Sequence, residues 1–376
     1  MKKKRIADSI ESAYSTESVY NPVDSDKKML EAIVCSDWHL EGLDKHFPTD
    51  SVERQLETLD RVYQYAIENG ISIVIVPGDI TDKYRMTDDT KYLLMKFFMK
   101  YDGIIWTYYC GGNHDWGDKT QTSMDLIKSF CEWNFLKTLK IILRPEQMIL
   151  DGVVVNFLPH PAEESIKHKK PCLNFCHVEA IGALGDNGRP LKTKKDIKVD
   201  PRDYTISGHI HLYQDLESKR FLYCGSPYQK TFGEALPKGF IHIKAGYKGK
   251  KLIVKHKFVD SKPGFRLQTV AIEDQKEWSK LEVNPAIRYR VVVADGVQIP
   301  SDIRVRVPNI SLLLSANKNA DLNNIMEVDI SEKVLSDIHP KDGLKKFLKA
   351  SGIKKSLRIE AMNEVDTILS EIGYTA

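Results

Sequence analysis

Two short apolar runs early in the chain each stop at a carboxylate, which narrows the folds open to it. Ala32-Ile33-Val34-Cys35 ends at Ser36-Asp37, and Ile71-Ser72-Ile73-Val74-Ile75-Val76 runs into Pro77-Gly78-Asp79. Between them Val52, Leu56, Leu59, Val62, Tyr63, Ala66 and Ile67 recur at helical spacing, with Asp50 or Ser51 as cap and Gly70 as stop. The pattern is strand, helix, strand, with an acid at the end of each strand. It repeats as a helix from about Asp88 to Lys100, a strand from Ile104 to Cys110, the turn Gly111-Gly112-Asn113 and a further helix to about Phe135. An α/β alternation of this kind places functional loops at the carboxyl ends of its strands.

From Val153 the pattern turns mostly to strand: Val153 to Leu158, Leu173 to Cys176, Tyr204 to Ser207, Phe221 to Cys224, Phe240 to Ile243 and Leu252 to Phe258. Two sheets packed face to face and covered by helices would bury all of these. A Pro/Gly-containing link around Asp260 to Gly264 opens a different rhythm, with strands Arg266 to Ile272, Tyr289 to Val293 and Ile310 to Leu314 separated by helices. Beyond about Ser331, Leu344, Phe347, Leu348, Ile359, Met362, Val365, Ile368 and Leu369 fall at helical spacing. The fold class expected is α/β (α+β): a two-sheet sandwich flanked by helices, a small α/β capping domain and a helical C-terminal tail. The divisions are a flexible, polar extension over 1–30, a main domain over 31–260, a cap over 264–330 and a tail over 331–376.

A chain of 376 residues, 42% hydrophobic and 28% charged, has the composition of a globular protein with more than one unit. It contains no apolar run of the roughly 18 to 20 residues that a membrane helix needs. Met1-Lys2-Lys3-Lys4-Arg5 leads into polar residues instead of a signal-peptide core, so a cytoplasmic location, in a host cell if viral, is expected. The six cysteines (Cys35, Cys110, Cys131, Cys172, Cys176 and Cys224) form no CxxC pair and read as reduced and mostly buried. Cys172 and Cys176 beside His177 lack the second ligand pair of a zinc site. The net charge of +3 does not announce a nucleic-acid binder. Runs at Lys167 to Lys170, Lys192 to Lys198, Lys248 to Lys257 and Lys341 to Lys355 are solvated faces unless an active site makes phosphate contacts of them.

Strand-end loops supply donor groups in order: Asp37-Trp38-His39, Gly78-Asp79-Ile80-Thr81-Asp82, Gly112-Asn113-His114-Asp115, the lone His177, and Gly208-His209-Ile210-His211. Singly, each has a plain reading: a chance triplet, an ordinary turn, a core histidine, or two histidines sharing one face of a strand. Together, each following an expected strand, they argue for a metal centre. Mixed oxygen and imidazole donors suit manganese, iron or zinc better than calcium or magnesium.

The order DxH, GDxxD, GNHD, H, GHxH resembles the signature of the calcineurin-like metallophosphoesterase superfamily, here spanning Asp37 to His211. Downstream, Tyr223-Cys224-Gly225-Ser226-Pro227, Thr231-Phe232-Gly233-Glu234 and Lys238-Gly239-Phe240 resemble the SbcD family of nuclease subunits, which work with an SbcC ATPase. The resemblance implies two divalent ions, manganese by preference. Asp37, His39, Asp79 and His211 would hold one and Asp79, Asn113, His177 and His209 the other, with Asp79 bridging. It also implies a two-metal-activated hydroxide as nucleophile and His114 as the residue that stabilises transition-state charge or protonates the leaving oxygen. Asp115 either orients the His114 ring or caps the turn. Asp82 supports the Asp79 loop, and His160 ends another strand that could face the cleft. Trp38, Trp116 and Tyr228 are either packing residues or stacking platforms for unpaired bases.

The implied function is a metal-dependent DNA exo/endonuclease subunit in DNA end processing, recombination and repair. Its implied partners are DNA and an SbcC-type coiled-coil ATPase, compatible with a homodimer and without membrane association. No GxxxxGKS/T loop is present, so ATP dependence would come from another chain. The alternative is a stand-alone metallophosphoesterase acting on phosphoproteins or small phosphoesters. A non-catalytic scaffold is disfavoured by the intact donor set.

Overall fold

The computed structural model describes residues 29–117, 121–161, 166, 169–193, 197–234, 236–307 and 310–314. The expected N-terminal extension through residue 28 and the tail over 331–376 lie outside the described residues.

The early apolar runs become the centre of a sheet. β1 (Leu30–Val34), β2 (Ile73–Val76), β3 (Trp106–Cys110) and β4 (Leu139–Ile142) run parallel, in that spatial order. These strands are apolar on both faces because both faces are covered. Ala32, Val34, Ile73, Ile75, Tyr108 and Cys110 pack toward a second sheet. Their alternates Ile33, Val74, Val76 and Tyr109 pack under α1 (Ser51–Glu68) and α2 (Asp88–Tyr101). On α1 the inward stripe is Val52, Leu59, Val62, Tyr63 and Ala66. Gly70, at φ +68°, ends it, as its position suggested. Asp50 makes no side-chain cap and pairs with Arg54 at 2.7 Å, while the Ser51 hydroxyl is turned to Asp44.

The second sheet has the spatial order β5 (Glu146–Leu150), β6 (Val153–Leu158), β7 (Leu173–His177), β8 (Tyr204–Gly208), β10 (Phe221–Tyr223), β9 (Gln214–Leu216). β6, β7, β8 and β10 are parallel and the edge strands β5 and β9 are antiparallel. β4, β5 and β9 were not apparent in the sequence because they are short and only partly buried. The chain then returns to the first sheet as β11 (Gly239–Lys248), antiparallel to β1, and the edge strand β12 (Lys251–Asp260). Both are longer than their apolar cores suggested. α3 (Asp125–Glu132) starts late and stops short of Phe135, since the described residues Asn113 to Gly117 and Gln121 to Met124 form turns and an isolated bridge instead of helix.

β13 (Arg266–Ile272), β14 (Ile287–Val293) and β15 (Ile310–Leu314) form a third, parallel sheet. Its connections hold a 3-10 turn at Gln275–Lys280 and the four-residue α4 (Ile303–Arg306), less helix than expected. Phe265 and Leu267 reach back into the main core, where the Phe265 ring meets Phe47 and Tyr228 at centroid distances of 5.5 and 5.6 Å. Among the described residues no helix is long and apolar enough to cross a membrane.

Candidate metal centre

The two large sheets present the carboxyl ends of their parallel strands at one site. Asp37 follows β1, Asp79 follows β2, Asn113 and His114 follow β3, His177 closes β7, and His209 and His211 follow β8. Small residues let these ends approach. A Cβ on Gly78 would stand 2.1 Å from His177 Nδ1, and one on Gly112 would stand 2.2 Å from Asp79 Oδ1. Asp37, His39, Asp79 and His209 all have positive φ, between 42° and 83°, a conformation that non-glycine residues adopt at a cost.

The expected donors converge. Asp37, His39 and His211 form one group and Asp37, Asp79 and His177 another, with the ligand atoms in each within 4.8 Å of one another. Asp79 Oδ2 sits between them, 3.5 Å from His39 Nε2 and 3.1 Å from His177 Nε2. Asn113 Oδ1 adds to the second group, 2.9 Å from both His177 Nε2 and His209 Nδ1.

The outward nitrogens of His177, His209 and His211 face oxygen acceptors, which turns the other nitrogen of each inward. His177 Nδ1 donates to Pro77 O at 2.8 Å. His211 Nδ1 donates to Glu234 Oε1 at 3.2 Å. His39 Nδ1 is 3.3 Å from Asp82 Oδ1 and 3.4 Å from Lys230 Nζ, and His209 Nε2 is 3.5 Å from Glu179 Oε1. Burial opposes the charge of Asp37 and, despite nearby His177 and His211, leaves its carboxyl raised to about 6. Burial also presses the His39 imidazolium down to about 3. For His177 the burial penalty is outweighed by Asp79, and for His211 by Glu234, so both rise to about 9. Asp79, flanked by His177 and His39, is held well below the usual carboxylate range despite its burial.

His114 stands beside this cluster with its N–H on Asp79 Oδ1 at 2.9 Å. Its Nδ1 donates to Asp82 O at 2.7 Å, which leaves Nε2 as its other ring nitrogen. The Asp82 carbonyl therefore orients the ring and Asp115 does not, a correction to one of the two readings of Asp115. The Asp115 carboxylate is fully buried and accepts from the Asp79, Thr81 and Gly112 N–H groups and the Thr81 hydroxyl at 2.9 to 3.1 Å. It ties the Asp79 loop to the Gly112 turn. Asp82, expected to support the Asp79 loop, instead places its side chain between His39 and Lys230 Nζ, the latter at 2.6 Å. His160 N–H donates to Gly111 O at 2.9 Å, and burial keeps its imidazole below the ordinary value. Trp38 and Tyr228 are buried in the main core, which rules out their stacking on bases, while Trp116 is partly buried. The cysteines are unbridged and buried apart from the half-buried Cys131, and none belongs to a candidate metal group among the described residues.

The calcineurin-like phosphoesterase family model matches residues 31–213. Those residues are a calcineurin-like phosphoesterase domain. No curated protein matches the chain. The match covers the expected donors Asp37 to His211, and the family is one of metal-dependent hydrolases of phosphoesters. The donor set fits divalent ions, since it combines hard oxygens with inward imidazole nitrogens and leaves the buried Asp37 Oδ2 without a hydrogen bond.

Sequence reading passed over residues that hold this centre from outside. Glu179, Glu234 and Lys238 follow no donor pattern, and only the resemblance of the Thr231 to Lys238 stretch to a nuclease family marked two of them. Lys238 is buried, with its Nζ 2.6 Å from Glu234 Oε2 and donating to His211 O and Ser226 Oγ at 3.0 Å each.

Proposed function

We propose that this phosphoesterase is a DNA nuclease subunit that cleaves phosphodiester bonds with two divalent ions, manganese by preference. Asp37, His39, Asp79 and His211 would hold one ion and Asp79, Asn113, His177 and His209 the other. When bound, the ions supply Lewis acidity and lower the pKa of a water between them. The chain's own contribution is to orient the donors through Pro77, Asp82, Glu179 and Glu234 and to keep the Asp79 loop rigid through Asp115. His114 Nε2 is available to meet charge on the phosphate or to protonate the leaving oxygen.

The observation that carries the nucleic-acid reading is how the third sheet is attached. The segment from Gly225 to Gly239 returns to the metal centre, with Glu234 on His211 and Lys230 on Asp82. The third sheet docks on that same segment. Leu267 N–H donates to Gln229 Oε1 at 3.2 Å, and the Arg290 guanidinium lies 4.4 Å from the Phe232 ring centre. A second surface fixed beside the scissile site suits a polymer that extends past it, whereas a small phosphoester needs only the cleft. We further propose that the tail over 331–376 binds an SbcC-type ATPase, through the apolar spacing noted above.

The test is degradation of end-labelled single-stranded and duplex DNA with manganese and with magnesium. Cleavage with manganese far above that with magnesium is expected, because imidazole-rich sites suit manganese better. Hydrolysis of a small phosphodiester with no attack on either DNA would overturn the substrate class. Deleting 331–376 should abolish copurification with the ATPase and leave hydrolysis of the small phosphodiester unchanged.

A further inference from the structure

We infer that Glu234, braced by Lys238, is a positioning residue for one ion site only, that of Asp37, His39 and His211. The inference rests on the two-ion reading above. Both residues lie beyond the family-matched stretch, which ends at residue 213.

His211 is gripped at both its ring and its backbone. Glu234 Oε1 accepts from His211 Nδ1 at 3.2 Å and directs Nε2 inward; the partly exposed Asp186 faces the same nitrogen at 3.3 Å and accepts the His211 N–H at 2.7 Å, so the buried Glu234 shares the ring with it. Glu234 Oε1 also accepts the N–H groups of Lys230 and Thr231 at 3.1 and 3.0 Å, so the carboxylate cannot swing with the ring. Lys238 Nζ closes the arrangement, 2.6 Å from Glu234 Oε2 and donating to the carbonyl of His211 itself. The Glu234 and Lys238 side chains are each 1% exposed. A buried ion pair repays its desolvation poorly, and apolar residues of equal volume often stabilise a core as well or better. Stability alone therefore gives this pair little reason to exist, whereas the orientation of a metal-binding imidazole does.

The grip is one-sided. In the other donor group, His177 leans on the Pro77 carbonyl and His209 on Glu179, both within the family-matched stretch. Loss of Glu234 should therefore weaken one ion and spare the other, while a merely structural lesion would affect both.

Manganese titration of the full chain by calorimetry, with metal content measured after gel filtration and electron paramagnetic resonance of the loaded protein, separates these cases. Wild type should bind two ions and give a spin-coupled spectrum. Glu234→Ala should bind one of them about 10- to 100-fold more weakly, leave the other within about threefold, and at limiting manganese give the spectrum of an isolated ion. Glu234→Gln keeps an acceptor for His211 Nδ1 and both backbone N–H groups, and Lys238 Nζ, facing an amide in place of a carboxylate, keeps His211 O and Ser226 Oγ, so this variant should lose stability but show a smaller loss of metal at the same site. Equal weakening of both ions in either variant, or no weakening in Glu234→Gln together with an unfolded Glu234→Ala, would overturn the inference. A wild type that binds a single ion would instead strike the two-ion reading beneath it.

Discussion

His211 Nε2 lies 3.0 Å from His39 Nε2, and the surroundings decide which of them carries the proton between them. Burial holds His39 neutral, at about 3, whereas Glu234 overrides burial and raises His211 to about 9. In the metal-stripped protein His211 is therefore the donor, and an ion held by both nitrogens has to displace that proton. His177, raised to about 9 by Asp79 against its burial, presents a second such proton.

The pH dependence follows with a definite sign. A histidine whose folded pKa is raised contributes stability that is fully present below about 6.5 and is lost as pH rises toward about 9. The melting temperature of the stripped protein should fall across that window, apart from other titrations. Manganese needs both imidazoles deprotonated, so its apparent affinity and the rise in melting temperature it produces should grow over the same range. Thermal melts at pH 6, 7.5 and 9, with and without manganese, would check this. A metal-induced shift that is constant across the series would contradict the proton displacement.

His114 and Asp79 should separate by what their loss removes. His114→Ala should retain both ions and lower turnover by about 10² to 10³ if the ring acts on transition-state charge. Asp79→Ala should lose the ions themselves, because its Oδ2 sits between the two donor groups. Metal content and turnover measured on the same preparations decide the matter, and metal loss in His114→Ala would make that histidine a ligand.

β1 and β2 were legible because double-sided burial left apolar runs, each broken off where an expected metal loop begins, whereas buried Asn174, Thr205 and Ser207 interrupt β7 and β8. β4, β5 and β9 were not legible, because strands such as Glu146–Leu150 alternate with exposed residues on a sheet edge. The expected donors could be read as a set because each lies at the end of a strand or just after it. The residues that hold them could not, since Glu234 sits in the aperiodic stretch beyond β10 and meets His211 across 23 positions that include two edge-side strands. Asp115 was read from its neighbour in sequence, His114, while its partners are fixed by the approach of two loops in space.

Gly112→Ala tests that approach with a single methyl group. The added Cβ would fall 2.2 Å from Asp79 Oδ1 and 2.3 Å from Asp79 N, so one of the two loops must move. If the Asp79 loop moves, the donor proposed for both ions moves with it, and if the Gly112 turn moves, Asn113 does, so the variant should lose metal affinity at the Asn113 site in either case. Gly103→Ala meets no atom within 4 Å but sits at φ +77°, so it should cost some stability without changing metal binding. Two-ion binding by Gly112→Ala at wild-type affinity would show that the turn can yield elsewhere.

The face of β11 and β12 beyond α1 supplies the most direct test of the DNA reading. Lys255 stands opposite Lys244 and Lys251 opposite Lys248 in register, and all four side chains are exposed, as is Lys257 two residues along from Lys255. Like charges directly across a ladder destabilise it, and protecting the edge strand would need lysines on β12 alone. Lys244 is partly compensated by Glu31 at 2.8 Å. A polyanion along this face would neutralise the rest. Replacing Lys248, Lys251 and Lys255 by glutamine should weaken binding to a duplex of random sequence. For every phosphate that the variant no longer neutralises, the slope of log K against log salt should become shallower by about 0.9. Hydrolysis of a small phosphodiester should be unchanged, because none of these side chains belongs to the metal centre. An unaltered salt slope in the triple variant would mean that DNA reaches the metals by another face.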